Sequence, residues 1–391
     1  MPIIENGLVD GRKYALLSEI RVDTFSQPNP AGQDSGGPNF AEYGDQLNHL
    51  RHHQGGHIFD KVQDSTASAE RRVAGRFLYA GPLIMNFSHY AAEHVSRLVS
   101  NNDFKLDGIL FVAVKRYRDK VQQIDQYVHE SLSFFGLSGL EIVVVEEPCV
   151  VEELLIVEQG EQLRFPPNEL YLTKLRTIMA IRKIGLEKTE KIFISRAGLD
   201  KGKLAGEEYI EQLLADHGYR SIRPEKLRWL NLLDLASNAS EIIITEGGAT
   251  HALSLLGEIH ANMVILARRP PISKSREGCL LPMFKRVKAS ISVIDAIDTL
   301  LIPAIELPFD SQNALTLINP FILFNQLSIR LDIKQSMGWN KDAFVDSAIN
   351  DFHVYLQTSF VKKRIDSASS ESIINTEIQF DKWIANLQSI D

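Results

Sequence analysis

The sequence predicts an α/β protein with two Rossmann-like domains facing one another across a cleft, followed by a helical C-terminal extension. Three observations carry this. The chain has 391 residues, and at about 150 residues per domain that length suits two or three domains. Its composition, 44% hydrophobic and 24% charged, is that of a globular protein. Short apolar runs of strand length alternate with stretches of helical length, and the alternation comes in two blocks, residues 75–150 and 190–300.

Residues 26–57 are rich in Gly, Pro, Asn and His and read as a long irregular segment inside the first domain. His49, His52, His53 and His57 lie there. With no cysteine or spaced carboxylate set beside them they read as a solvated loop, and no metal site is expected. The alternation then begins. Arg76–Ala80 reads as a strand, 86–100 as a helix, Gly108–Val114 as a strand, 121–136 as a helix and Glu141–Val145 as a strand. Pro166-Pro167 opens a helix over 167–184, because proline suits the first helical turn. The second block repeats the pattern. Lys191–Ile194, 220–223, Glu241–Thr245 and Met263–Leu266 are strands, and 206–217, 227–238 and 250–258 are helices. After residue 305 the pattern turns helical around Trp339, Phe344, Phe352 and Tyr355, and Ser367–Ser372 reads as a linker before a short last helix. The implied divisions are 1–165, 166–305 and 306–391.

Lysine and arginine number 42 against 50 aspartates and glutamates, a net charge of −8, which disfavours a dedicated nucleic-acid binder. The two cysteines, Cys149 and Cys279, build no disulfide framework. The segment Met1–Asn6 has neither a basic stretch nor a long apolar run, so no signal peptide is expected. No apolar stretch approaches the roughly 18 residues of a membrane span. A soluble, cytoplasmic protein is the expectation.

Three segments carry candidate chemistry. Asn86, His89, Glu93 and Arg97 are spaced 3, 4 and 4, which at about 100° per residue makes one stripe along a helix. Phe87, Ala91, Val95 and Leu98 fall on the opposite face. An imidazole, a carboxylate and a guanidinium in a row suit proton abstraction, and equally a solvated face held by i,i+4 pairs. The strand end Ile192–Ser195 delivers Arg196 to the cleft, where its fork of donors suits phosphate oxygens. Lys201 and Lys203 follow it, and a basic surface turn is the alternative. Third, Thr245-Glu246-Gly247-Gly248-Ala249-Thr250-His251 runs from strand through glycine turn to helix. The glycines let a ligand approach the backbone, although any tight βα turn uses glycine too. The turn is neither a G-x-G-x-x-G fingerprint, which argues against a dinucleotide-dependent oxidoreductase, nor a Walker A loop. No D-x-D motif occurs, so no metal clamp on a pyrophosphate is visible.

Together these pieces resemble glycosyltransferase family 61, over residues 72–300. Asn86-Phe-Ser-His89-Tyr-Ala-Ala-Glu93-His-Val-Ser-Arg97-Leu98 is similar to the family's Asn-aromatic-x-His-aromatic-x-x-Glu/Asp-x-x-x-Arg-Leu segment. Ile194-Ser195-Arg196 with Glu207-Glu208 and Asp216-His-Gly218-Tyr, then Ile222-Arg-Pro224-Glu225-Lys-Leu227 with Leu235–Ala239, then Thr245 with Gly248-Ala249, follow in the family's order. One departure stands: Glu246-Gly247 occupies the place where members often carry Pro-His or Pro-Ser. The resemblance implies a GT-B fold and an inverting, metal-independent sugar transfer with no cofactor. The donor would be a nucleotide-sugar, a UDP-sugar first among them, and the acceptor a glycan or glycolipid of bacterial surface or capsular polysaccharide. Peripheral association with a membrane assembly complex goes with that role. His89 and Glu93 would be catalytic. Ser195, Arg196, Glu225, Gly247, Gly248, Ala249 and Thr250 would bind the donor, and Asn86 and Arg97 would support the acceptor or the structure. A catalytically inactive nucleotide-sugar-binding or scaffold protein is the alternative.

Overall fold

The structure is a computed structural model that describes residues 3–24, 37–38, 51–53, 56–58, 69, 71–100, 103–114, 124–161, 165–184, 190–270, 281–302, 313–333, 337–359, 361–362 and 370–389. The first half of the chain runs β1 (Ile3–Val9), β2 (Arg12–Asp23), β3 (Arg71–Leu83), α1 (Phe87–Glu93), β4 (Gly108–Ala113), α2 (Gln126–Phe134), β5 (Glu141–Val145), β6 (Cys149–Val157) and α3 (Glu169–Ile181). Its strands form one sheet in the order β1-β2-β6-β3-β4-β5, with Gly37–Pro38 on β2. The four from β6 to β5 are parallel, whereas β1 and β2 add antiparallel. Every residue of β4 is buried, as expected of a parallel strand covered on both faces. Strands β1, β2 and β6 are absent from the βα alternation read from the sequence. The antiparallel addition of β1 and β2 needs no crossover helix to announce it, and β6 follows β5 with no helix between them.

The second half runs β7 (Glu190–Ile194), β8 (Lys203–Leu204), α4 (Glu207–Asp216), β9 (Arg220–Ile222), α5 (Trp229–Asn238), β10 (Ala239–Thr245), α6 (Gly248–Ala252), β11 (Asn262–Leu266), β12 (Ile291–Ile294), β13 (Ile297–Leu301), β14 (Leu315–Ile318), α7 (Pro320–Arg330), α8 (Lys341–Leu356) and α9 (Ser370–Ser389). Five of these strands make an all-parallel sheet ordered β9-β7-β10-β11-β12. The order reverses between β7 and β10, and ligands of such sheets bind outside the carboxyl ends at that reversal. Ile194 lies in register with Ile244, so the loops after β7 and β10 leave the sheet side by side.

The two sheets share one apolar cluster. Leu78 and Phe111 from the first sheet, Tyr171 and Leu175 of α3, Leu233 of α5, and Ile194 and Ile244 from the second sheet all belong to it. Each such fully buried side chain contributes about 1.5–3 kcal/mol. Phe87 meets Tyr127 of its own half and Trp229 of the other edge to face, with ring centroids 5.4 and 5.0 Å away. The buried Glu130 on α2 accepts from Arg228 Nε at 2.9 Å and Leu230 N at 3.2 Å.

Three expectations need correction. The helix expected over 86–100 ends at Glu93 and gives way to a 3-10 turn, Val95–Arg97. Arg97 therefore leaves the expected stripe and is fully buried, with Nη1 2.6 Å from His94 Nδ1 and the guanidinium over the Tyr79 ring. The region after 305 is not purely helical, since β14 pairs with β8 and β13. The final helix is long, Ser370–Ser389, and takes in part of the expected linker. Of the four histidines in 26–57, His49 lies outside the described residues. His52, His53 and His57 belong to a hairpin of Arg51–His53 with Gly56–Ile58 whose side chains also lie outside them.

Candidate active site

The loop after β7 is tied down from within. Glu207, fully buried at the start of α4, accepts from Thr245 Oγ1 at 2.6 Å and Arg196 N at 2.8 Å through one oxygen, and from Leu204 N at 3.0 Å through the other. Burial pushes its carboxyl up, and these bonds oppose the shift. Ser195 is also fully buried; its hydroxyl accepts from Ala197 N at 3.0 Å and sits 3.5 Å from Glu207. Arg196 Nε donates to Gly202 O at 2.5 Å. Among the described residues, neither Nη group of Arg196 has a hydrogen-bond partner. Burial pulls this guanidinium below its usual range, Glu207 opposes that, and Arg269 adds to it.

The guanidinium lies against Gly247, where a β-carbon would collide with Arg196 Nη1. Gly247 itself is extended, with φ 167° and ψ −162°. The preceding Glu246 turns inward and is 1% exposed. Its carboxylate accepts from Arg268 N at 3.0 Å and Arg269 N at 3.1 Å, and pairs with Arg269 Nη2 at 2.9 Å. Arg268 Nε donates to Glu246 O at 3.0 Å. Burial, with Arg196 and Arg269 nearby, holds Arg268 down to about 9. Three guanidinium groups thus gather where the sheet order reverses. Thr250 caps the turn, its hydroxyl donating to Gly247 O at 2.5 Å, and Ala249 is buried beneath it.

The first half meets this turn through α1. Asn86 is its N-cap, Oδ1 accepting from Ser88 N at 3.1 Å and His89 N at 3.3 Å. A β-carbon on Gly248 would stand 2.5 Å from Ser88 Oγ, so α1 and α6 abut at their starts. Ser254 Oγ closes the contact by donating to Ala91 O at 3.2 Å. His89 and His251, both half-buried, feel each other across this junction. His251 is held down to about 4, first by burial, then by His89 and Arg269, with Glu246 opposing. It is neutral at ordinary pH, and a neutral imidazole can take a proton.

Residues 87–259 match the family model described as Glycosyltransferase 61. The chain carries a glycosyltransferase family 61 domain. It is a glycosyltransferase, which implies a sugar donor and a glycan acceptor. No curated protein matches the chain.

Within this family 61 domain the structure brings Arg196, Gly247 and Gly248 to one junction with Ser88 and His89. Glu225 joins its rim, exposed and packed against Gly198. Glu93 ends α1, and its side chain lies outside the described residues. Asn86 and Arg97 are built into the fold, as cap and buried cation. Lys203 does not add charge to the site. It is 3% exposed and paired with Asp351 at 2.6 Å. Sequence reasoning missed Arg268 and Arg269, although Arg268 stands two residues past the strand end at Leu266, just as Arg196 stands two past Ile194. It also passed over His251 inside a segment it had quoted. Among the described residues no group of three or more His, Cys, Asp or Glu is placed to hold a metal ion, and no helix is long and apolar enough to cross a membrane.

Proposed function

We propose that this glycosyltransferase is an inverting, metal-independent enzyme of GT-B type that uses a nucleotide-sugar, a UDP-sugar first among them. The acceptor would be a glycan or glycolipid of bacterial surface or capsular polysaccharide, met in the cytoplasm at a membrane assembly complex. The observation that carries the reading is the pair of Arg196 Nη groups, without a hydrogen-bond partner among the described residues, beside the glycine turn at the sheet's reversal. A departing nucleoside diphosphate needs positive charge, and Arg196 with Arg268 and Arg269 supplies it there. On the other side of the junction His89 removes the acceptor hydroxyl proton while that oxygen attacks the anomeric carbon and the bond to the diphosphate breaks. Glu93 charges or orients that imidazole. Glu246-Gly247, the departure that slightly favours an inactive binding protein, weighs less against activity because the Glu246 carboxylate is turned into Arg269 and the backbone.

A thermal-shift screen of nucleotide-sugars identifies the donor, since a ligand of the native state raises the melting temperature. Turnover of that donor in excess EDTA then tests the chemistry. Activity is expected to persist, and abolition with rescue by Mn²⁺ or Mg²⁺ would overturn the metal-independent reading.

A further inference from the structure

Thr316 and Asp351 lie outside the matched stretch, yet their side chains reach both loops that carry the arginines. Asp351 of α8 is 3% exposed and divides its oxygens. Oδ1 accepts from Lys203 Nζ at 2.6 Å and Oδ2 from Gly206 N at 2.9 Å. Lys203 Nζ also reaches Ala197 O at 3.3 Å. One ion pair therefore fastens both ends of the 196–206 loop, next to Arg196 and next to Gly202, the carbonyl that holds Arg196 Nε. Gly206 itself is left-handed, φ 78°, with the Phe344 ring of α8 where its β-carbon would be.

The second tether is β14. It pairs in parallel with Lys203-Leu204, and Ala205 N donates to Thr316 O at 2.9 Å. The Thr316 hydroxyl, fully buried, donates to Arg268 O at 2.7 Å. The same strand thus holds the loop of Arg196 by its backbone and the segment of Arg268 and Arg269 by a side chain.

We propose that the C-terminal extension positions the donor site: Asp351, through Lys203, sets the loop bearing Arg196, and Thr316 sets the segment bearing Arg268 and Arg269. The inference rests on the reading of Arg196 as a diphosphate contact. Asp351 and Thr316 touch no substrate and act through the arginines alone. A purely structural role for them would lower stability without coupling to Arg196.

The test is calorimetric titration of the full chain with UDP and with inorganic pyrophosphate. The variants are Arg196→Ala, Asp351→Asn, the double variant of these two, Thr316→Val and Thr316→Ser. Asp351→Asn is expected to weaken both probes about tenfold, on the scale of a lost charge-assisted hydrogen bond. In the Arg196→Ala background it should cost no further affinity, because residues acting through one another are non-additive. Thr316→Val should weaken binding by several-fold and Thr316→Ser should restore it. If Asp351→Asn does not fold, the Thr316 pair decides. Wild-type affinity in folded Asp351→Asn and Thr316→Val, or equal losses with and without Arg196, overturns the inference alone. Arg196→Ala without effect on either probe, or no binding of either probe by the wild type, overturns the donor-site reading and the inference with it.

Discussion

Substituting Gly247 by alanine separates the place of the Arg196 guanidinium from its charge. At φ 167° and ψ −162° the backbone is extended, a conformation open to any residue, so the substitution puts no strain on the turn. The new methyl group would collide with Arg196 Nη1, 2.8 Å from Cζ and 3.1 Å from Cδ, and the long side chain is what can yield. Arg196 then gives up its place and its bond to Gly202 O. Folding stability should fall by about 1 kcal/mol, the net worth of one such bond. Donor binding should suffer more. A charged hydrogen bond to the diphosphate is worth about 1.5–3 kcal/mol, so UDP affinity should drop about 10- to 150-fold. Calorimetric titration with UDP and thermal unfolding of Gly247→Ala measure the two effects. On an Arg196→Ala background the same substitution should leave UDP affinity unchanged. Wild-type affinity in Gly247→Ala, while Arg196→Ala binds weakly, would refute the reasoning.

Three further outcomes follow from the same geometry. His89→Ala should lower kcat by about 10²–10⁴-fold with nucleotide affinity nearly unchanged; near-normal turnover per folded molecule would remove α1 from the chemistry. Glu246→Ala leaves Arg269 and the N–H groups of Arg268 and Arg269 without their carboxylate and should cost about 3 kcal/mol in urea unfolding; a loss under about 1 kcal/mol would show that the carboxylate is not needed. For His251, the unfolded chain takes up a proton near the ordinary pKa of about 6.5, whereas the folded chain refuses it until about 4. The stability given by the neutral ring is therefore present above pH 6.5 and is lost as pH falls toward 4, by up to about 3 kcal/mol. Urea unfolding at pH 7 and 4.5 should show this slope in the wild type and a flatter one in His251→Gln.

The central parallel strands β4 and β10 were legible because each is a short apolar run buried on both faces, as Gly108–Ala113 and Ile242–Ile244 show. The strand that carries the inference, β14, was not, because Leu315–Ile318 sits among helical patterns and its partner Lys203-Leu204 is two residues long. The position of Arg196 just past a strand end was legible from the apolar run Ile192–Ile194 before it. The polar stripe on α1 was not read correctly past Glu93, because a fixed helical period assumes that the helix continues. Here the chain tightens into a 3-10 turn that drives Arg97 inward to His94 and Tyr79. The tie between Asp351 and Lys203 spans 148 residues, and no local pattern encodes such a pair.

Glu246 stands where an acidic residue beside a diphosphate looks unfavourable, and its surroundings explain why it is tolerated. Its charge is met by Arg269 and by the N–H groups of Arg268 and Arg269, all behind the turn. The charge of Glu207 is met mainly by neutral donors, Thr245 Oγ1, Arg196 N and Leu204 N. Each carboxylate is thus hydrogen-bonded inside the fold through both oxygens, and neither accepts a hydrogen bond from the Arg196 guanidinium. A guanidinium so placed is costly, because burial disfavours its charge and Arg269 repels it. The loop bonds that hold it there make that cost part of folding rather than of binding. On the proposed reading, an arriving diphosphate would meet a hydrogen-bond donor already in place and give up little to order it, which is how a site built on a few arginines would hold and release a leaving group without reorganising.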